Sequence, residues 1–148
     1  MLTVRRAPLA AVVALVAALV LTGCMDEQEQ AAFDAVNAAR AGAGLSALAP
    51  DDELVLKAQR WADVLAAEGS LRHSRLSDEL TPGRWGRIAE NVGYVGGGGD
   101  PIAAQQRNFA GSAGHRGNQL GPYTHAGIGI SVAPDGRVFQ VQVFAAQR

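Results

Sequence analysis

The chain has a single cysteine, Cys24, a single lysine, Lys57, and no apolar run long enough to span a membrane as a helix. One cysteine excludes an intramolecular disulfide, so packing alone must hold the fold together. The scarcity of lysine is not a scarcity of positive charge, because twelve arginines accompany it. We read that ratio as the bias of an alanine- and arginine-rich genome. An excess of either charge is also missing: 13 basic residues face 14 acidic ones, for a net charge of −1. Without a basic surplus there is little to draw in phosphate backbones, so nucleic acid is not an expected partner. No HExxH pair is present. The glycine run 96–99 lacks the Lys-Ser/Thr or spaced glycines of a phosphate-binding loop. There is no internal repeat.

What is present begins at the N-terminus. Residues 8–22 (PLAAVVALVAALVLT) carry no charge, follow Arg5 and Arg6, and run into Gly23-Cys24. They fall short of the roughly 20 residues a spanning helix needs. A basic start, an apolar run and a small residue before a cut site make a secretory signal over residues 1–23. Leu21-Thr22-Gly23-Cys24 resembles the bacterial lipobox, in which the cysteine is acylated and becomes the first mature residue. Acyl chains such as palmitate contribute about 0.8 kcal/mol per buried methylene, and two or more anchor stably. The expected partner is therefore the membrane, through lipid on Cys24. The expected place is the extracytoplasmic face of a bacterial cell membrane. Residues 24–31 read as the lipidated cysteine and a short polar tether, and residues 32–148 as one domain.

Within that domain, Phe33, Val36 and Ala39 recur near the helical period before Gly42 and Gly44. A second helix is predicted after Asp51 or Asp52, with Leu54, Ala58, Trp61 and Leu65 as its apolar stripe and Gly69 as its stop. That stripe is core, and Trp61 needs no ligand to explain it. Residues 70–100 read as irregular. A third helix is predicted from Asp100-Pro101 to about Ala110. Residues 127–133 and 137–144 flank Pro134-Asp135-Gly136 and read as an antiparallel hairpin. Phe139, Val141 and Val143 point into its core, and Val138, Gln140 and Gln142 point the other way. Helices first and strands last argue for an α+β domain with helices packed on an antiparallel sheet.

The three histidines, His73, His115 and His125, are an ordinary number, and spacings of 42 and 10 residues carry no geometry. Glu90 lies between apolar neighbours in Ile88-Ala89-Glu90-Asn91-Val92. Such an acid either faces solvent at a strand edge or is buried against a partner. Ala110-Gly111-Ser112-Ala113-Gly114 comes near the G-x-S-x-G nucleophile elbow. It ends a helix, however, and the last histidine precedes Asp135, so the esterase reading is rejected.

Five segments, covering roughly Phe33 to Phe144, stand in order along the chain: Val36-Asn37 with Arg40, Gly44-Leu45 and Leu48; the Ala-x-x-Trp-Ala stretch of the second helix followed by His73-Ser74; Ala89-Glu90-Asn91-Val92; Gly114-His115-Arg116-Gly117-Asn118-Gln119-Leu120; and the closing Tyr123–Gly129 and Val141–Phe144 strands. Taken together they resemble the family of cysteine-rich secretory, antigen 5 and pathogenesis-related proteins (CAP, or SCP-like), in its bacterial lipoprotein branch. The resemblance implies an α-β-α sandwich with a small antiparallel sheet. It implies a cleft holding two histidines and acids, onto which His73, Glu90 and His115 map. Phe109 stands at a family tryptophan and Ser112 at the second acid's place, while His125 lies where relatives carry glutamate or histidine. In the metal-binding reading the ligands are His73 and His115, with His125 as an optional third. No cofactor is required by the resemblance, although it allows Zn²⁺ or another divalent metal. With Glu90 the only cleft acid left, the preferred expectation is a non-enzymatic binding or interaction module for a lipid, another small ligand or an envelope component. The second is a divalent-metal-dependent, protease-like hydrolase using the same cleft.

Overall fold

A computed structural model describes residues 25–148; the signal and Cys24 lie outside the described residues. The first helix, α1 (Glu27–Gly42), starts inside the stretch expected to be a polar tether. The reason is local: Asp26 accepts from the Glu29 backbone N–H, and Glu29 reciprocates on the Asp26 N–H, both at 2.8 Å. That capping box satisfies two otherwise free donors and draws the helix start back toward the N-terminus. A short strand β1 (Ala49–Pro50) precedes α2 (Asp52–Glu68). Asp51 caps α2, and Gly69 ends it in the left-handed conformation (φ 63°), as the glycine stop predicts.

The segment read as irregular contains an 11-residue strand, β2 (Trp85–Val95), which corrects the sequence reading. It is buried along most of its central length, so its residues do not alternate between apolar and polar as a half-exposed strand would. Then follow α3 (Pro101–Gly111), capped by Asp100 as expected, a short α4 (Ala113–Gln119), β3 (His125–Val132) and β4 (Val138–Gln147). The sheet order is β1-β3-β4-β2; β3-β4 is the predicted hairpin, β2 is antiparallel to β4, and β1 is parallel to β3.

The sheet is the middle layer of an α-β-α sandwich. Phe139, Val141 and Val143 pack under α2 with Leu54, Ala58, Ala62 and Leu65. The opposite face meets α1 through Phe33, Val36, Ile128 and Phe144, with α3 and α4 beside it. Gln140 and Gln142, on that second face, are also buried. The hairpin therefore has two inner faces where its alternation suggests one.

Two glycines set the spacing of the α2 layer. A Cβ on Gly127 would lie 2.2 Å from the Leu54 carbonyl carbon and the Val55 nitrogen, and one on Gly129 would lie 2.3 Å from the Ala58 carbonyl carbon and the Gln59 nitrogen. Helix backbone thus rests directly on strand backbone. Gln59 completes the seat: its side-chain amide donates to the Ile130 carbonyl and accepts from the Ile130 N–H, both at 2.9 Å.

Among the ties between the segment 70–84 and α2, those of Lys57 and Glu53 are the most shielded from solvent. The only lysine, Lys57, is buried, and its ammonium donates to the carbonyls of Arg75 (3.0 Å) and Asp78 (3.1 Å). Burial pushes the Glu53 carboxyl up. Hydrogen bonds from Thr81, Trp85 and Arg84 outweigh that and hold its pKa at about 2.

Two outcomes test this packing. Gly129→Ala forces a methyl into helix backbone and is expected to cost about 3 kcal/mol or more. Gly98→Ala, which meets nothing within 4 Å, should be neutral. Urea unfolding of the two variants measures the difference, and equal midpoints would mean that α2 is not seated on β3. The second outcome concerns Glu29, which is 6% exposed and whose pKa is raised from 4.5, chiefly by burial and then by nearby Asp26. A raised carboxyl pKa favours the fold below the unfolded value and disfavours it as pH rises through the folded one. Glu29→Gln keeps the capping box and removes the charge. It should raise the thermal midpoint at pH 7 by a few degrees, roughly a 1 kcal/mol effect. The gain should vanish below about pH 4.5, where wild-type Glu29 is protonated in both states.

Candidate functional site

β2 is an outer strand, and Glu90 sits at its middle with a side chain only 1% exposed. A carboxylate buried that far must be matched by donors. Three reach it: His73 Nδ1 at 2.9 Å and the Ser74 N–H at 2.9 Å on Oε1, and Ser74 Oγ at 2.5 Å on Oε2. All come from the 70–84 segment that Lys57 and Glu53 tie down. A carboxylate accepting at Nδ1 selects the tautomer protonated there and leaves Nε2 free. The His73 ring is 61% exposed, so that free nitrogen is available to solvent or a ligand.

His115 is on α4, its ring edge-on to Phe109 with centroids 4.9 Å apart. Its pKa is lowered from 6.5, first by burial and then by the charge of His73. α4 is positioned by amides: Asn91 donates to the His115 carbonyl at 3.0 Å, and Asn118 donates to the Glu90 carbonyl at 3.2 Å and to Asn91 Oδ1 at 2.9 Å. Arg40, buried without a carboxylate partner among the described residues, donates to the carbonyls of Ser46, Gln119 and Gly121 at 2.8 to 2.9 Å. It fastens the end of α4 to α1.

The resulting cleft has a volume of about 470 Å³. His73, Ser74 and Glu90 line one side, and Leu76, Ile88 and Tyr123 supply apolar wall. Ser74, Asn118 and Tyr123 were not assigned roles from the sequence. Ser74 is adjacent to His73, and Asn118 lies within the motif that carries His115, which are the signals that could have found them. A separate groove of about 760 Å³ runs between α1 and α3, lined by Ala31, Ala35, Ile102, Ala103 and Gln106 among others.

Three sequence candidates, His115, Ser112 and His125, do not line this cleft. Ser112 lies at the junction of α3 and α4, makes no capping hydrogen bond through its side chain, and does not line the cleft. It joins helix to helix, which agrees with rejecting the elbow. His125 packs edge-on against Trp85, centroids 5.5 Å apart, with Nδ1 2.8 Å from Thr124 Oγ1. Among the described residues no three His, Cys, Asp or Glu side chains converge as a metal site would require. His125 is therefore not brought to the other two as a third ligand. Catalytic zinc takes three protein ligands and structural zinc four. With Glu90 engaged by three donors, this donor set does not fit a catalytic zinc.

The three-layer sandwich thus carries a histidine–carboxylate cleft at the edge of its sheet. The chain belongs to the cysteine-rich secretory protein (CAP) family, whose profile matches residues 33–144. No curated protein matches it. Among solved structures it is similar to an outer surface protein from Borrelia burgdorferi (16% identity, TM-score 0.69, covering 84% of this chain and 97% of that one). It is also similar to venom allergen-like protein 4 of Schistosoma mansoni (11%, 0.68, 84% and 91%). A third is an extracellular SCP-domain protein from Bacillus anthracis (26%, 0.66), where 81% of this chain matches 40% of that one.

The electrostatics of the cleft are open to direct measurement. The NMR titration of His115 should fall below 6.5 in wild type. In His73→Ala it should move up but stay below 6.5, because burial is the larger cause. An unchanged value in the variant would mean the rings do not interact.

Proposed function

We propose that the chain is a membrane-anchored, extracytoplasmic lipoprotein whose cleft at the β2 edge binds a lipid or another small ligand, without catalysing its hydrolysis. The observation that carries this reading is the condition of Glu90. A general base needs a carboxylate within reach of water or substrate, and this one is shielded from solvent and accepts three protein hydrogen bonds. Its role is to hold the His73 ring. A few oriented polar groups beside Leu76, Ile88 and Tyr123 make the mixed wall typical of ligand sites. Binding is thus favoured over the hydrolase reading, and His73 with His115 would give Zn²⁺ or another divalent metal at most a weak, two-imidazole site. For location, the support is the lipobox resemblance at Cys24 and the surface or extracellular descriptions of the Borrelia and Bacillus relatives. No helix among the described residues is long and apolar enough to cross a membrane, and anchoring is assigned to acylated Cys24.

Titration of the purified full chain with a fluorescent fatty-acid analogue tests the cleft. His73→Ala and Leu76→Arg should each weaken binding about tenfold or more, about 1.4 kcal/mol, and Ala31→Trp in the α1–α3 groove should leave it unchanged. The reverse pattern moves the ligand to that groove and ends the cleft reading. Cleavage of a labelled peptide by wild type that Glu90→Gln abolishes would put the hydrolase in its place. Cys24→Ala should shift the protein out of the detergent phase, and partition equal to wild type would remove the anchor.

A further inference from the structure

Between α3 and the sheet lies a layer of buried side-chain amides. Asn91 of β2 is opposite Gln142 of β4, and Gly93 is opposite Gln140. Gln105 of α3 comes down onto Gly93, where a Cβ would meet its Nε2 at 2.2 Å and Phe109 at 2.9 Å. Part of this layer is self-sufficient. Gln142 Oε1 accepts from Asn91 Nδ2 at 3.0 Å and Gln119 Nε2 at 3.1 Å, while Gln106 and Gln119 exchange amide hydrogen bonds at 3.2 and 3.0 Å.

The remainder is not. Gln105 Oε1, both amide atoms of Gln140 and Gln142 Nε2 have no protein partner among the described residues. Yet these residues are only 3%, 1% and 0% exposed. A dry pairing of Gln140 with Gln105 Oε1 and Gln142 Nε2, reached by exchanging the Gln140 oxygen and nitrogen, is the alternative that the spectra below distinguish from water. The four atoms comprise two acceptors and two donors, which is the complement of a water molecule that donates twice and accepts twice.

We propose that Gln105, Gln140 and Gln142 enclose an internal hydration site between α3 and the β2–β4 pair, with water as the ligand that completes their hydrogen bonds. Polar-lined interior sites hold water, typically through about three hydrogen bonds, whereas apolar cavities stay dry. The site is distinct from the His73–Glu90 cleft but joined to it. Gln142 is bonded to Asn91, and Asn91 holds the carbonyl of His115. The water thus belongs to the framework that seats α4.

Water–amide NOE and ROE spectra of the ¹⁵N-labelled full chain test this. The side-chain NH₂ groups of Gln140 and Gln142 should show cross-peaks to water with the opposite NOE and ROE signs of a long-lived molecule. Absence of such peaks at both amides overturns the proposal. Gln140→Met supplies a second measure. In a hydrated site it lowers the thermal midpoint and removes the water peak at Gln142; in a dry site it deletes unpartnered atoms, raises the midpoint and overturns the proposal. The wild-type spectra decide alone should the variant not fold.

Discussion

The contact of α2 backbone on β3 backbone at Gly127 and Gly129 is the constraint on which the rest of the molecule rests. It brings the helix close enough for Leu54, Ala58, Ala62 and Leu65 to reach the sheet without longer side chains between. It also fixes where α2 ends. From Gly69, whose carbonyl accepts from Arg137 of the hairpin at 3.1 Å, the chain starts its return toward the β2 edge. Lys57 and Glu53 hold that return against the helix it has just left. His73 and Ser74 therefore arrive over Glu90 because a helix on the same face is seated by glycine two strands away.

On the opposite face α1 also packs through apolar side chains, but α4 is built on different physics: it is short and has little apolar surface of its own, so its position is determined by polar groups. Arg40 gathers the carbonyls at its C-terminal end, and the Asn91–Asn118–Gln119–Gln142 amides hold its inner side. Directional bonds of this kind specify one geometry where a small apolar interface would allow several. The cleft thus lies between a side set by close packing and a side set by hydrogen bonding.

Much of this was legible in the sequence because the relevant signals are local. The α2 stripe, its Asp51 cap and Gly69 stop, the Asp100-Pro101 start of α3 and the hairpin alternation all depend on neighbours within a few residues. β2 was missed because both its faces are covered, which erases alternation, and because glycines and Pro82 in the surrounding region read as loop. The beginning of α1 was placed late because Asp26 and Glu29 look like spacer charges until their capping box is recognised. Spacing could not place His73, Glu90 and His115 in one site, and only the motif resemblance named them together; the structure joins His73 to Glu90 at 2.9 Å, while His115 is held on α4 through its carbonyl and Phe109. The same resemblance left His125 open; its ring lies edge-on to Trp85 at the start of β2, with Nδ1 at Thr124 Oγ1.

The burial of Lys57 also shapes the outer chemistry of the molecule. With its one ε-amine turned inward onto the carbonyls of Arg75 and Asp78, permanent positive charge on the exposed surface of the described residues is carried by guanidinium groups alone. Guanidinium stays protonated throughout the pH range in which proteins remain folded, and it does not react as a primary amine toward esters or aldehydes at neutral pH. To reagents that tag or cross-link through lysine, this surface is chemically silent, although it is rich in cations.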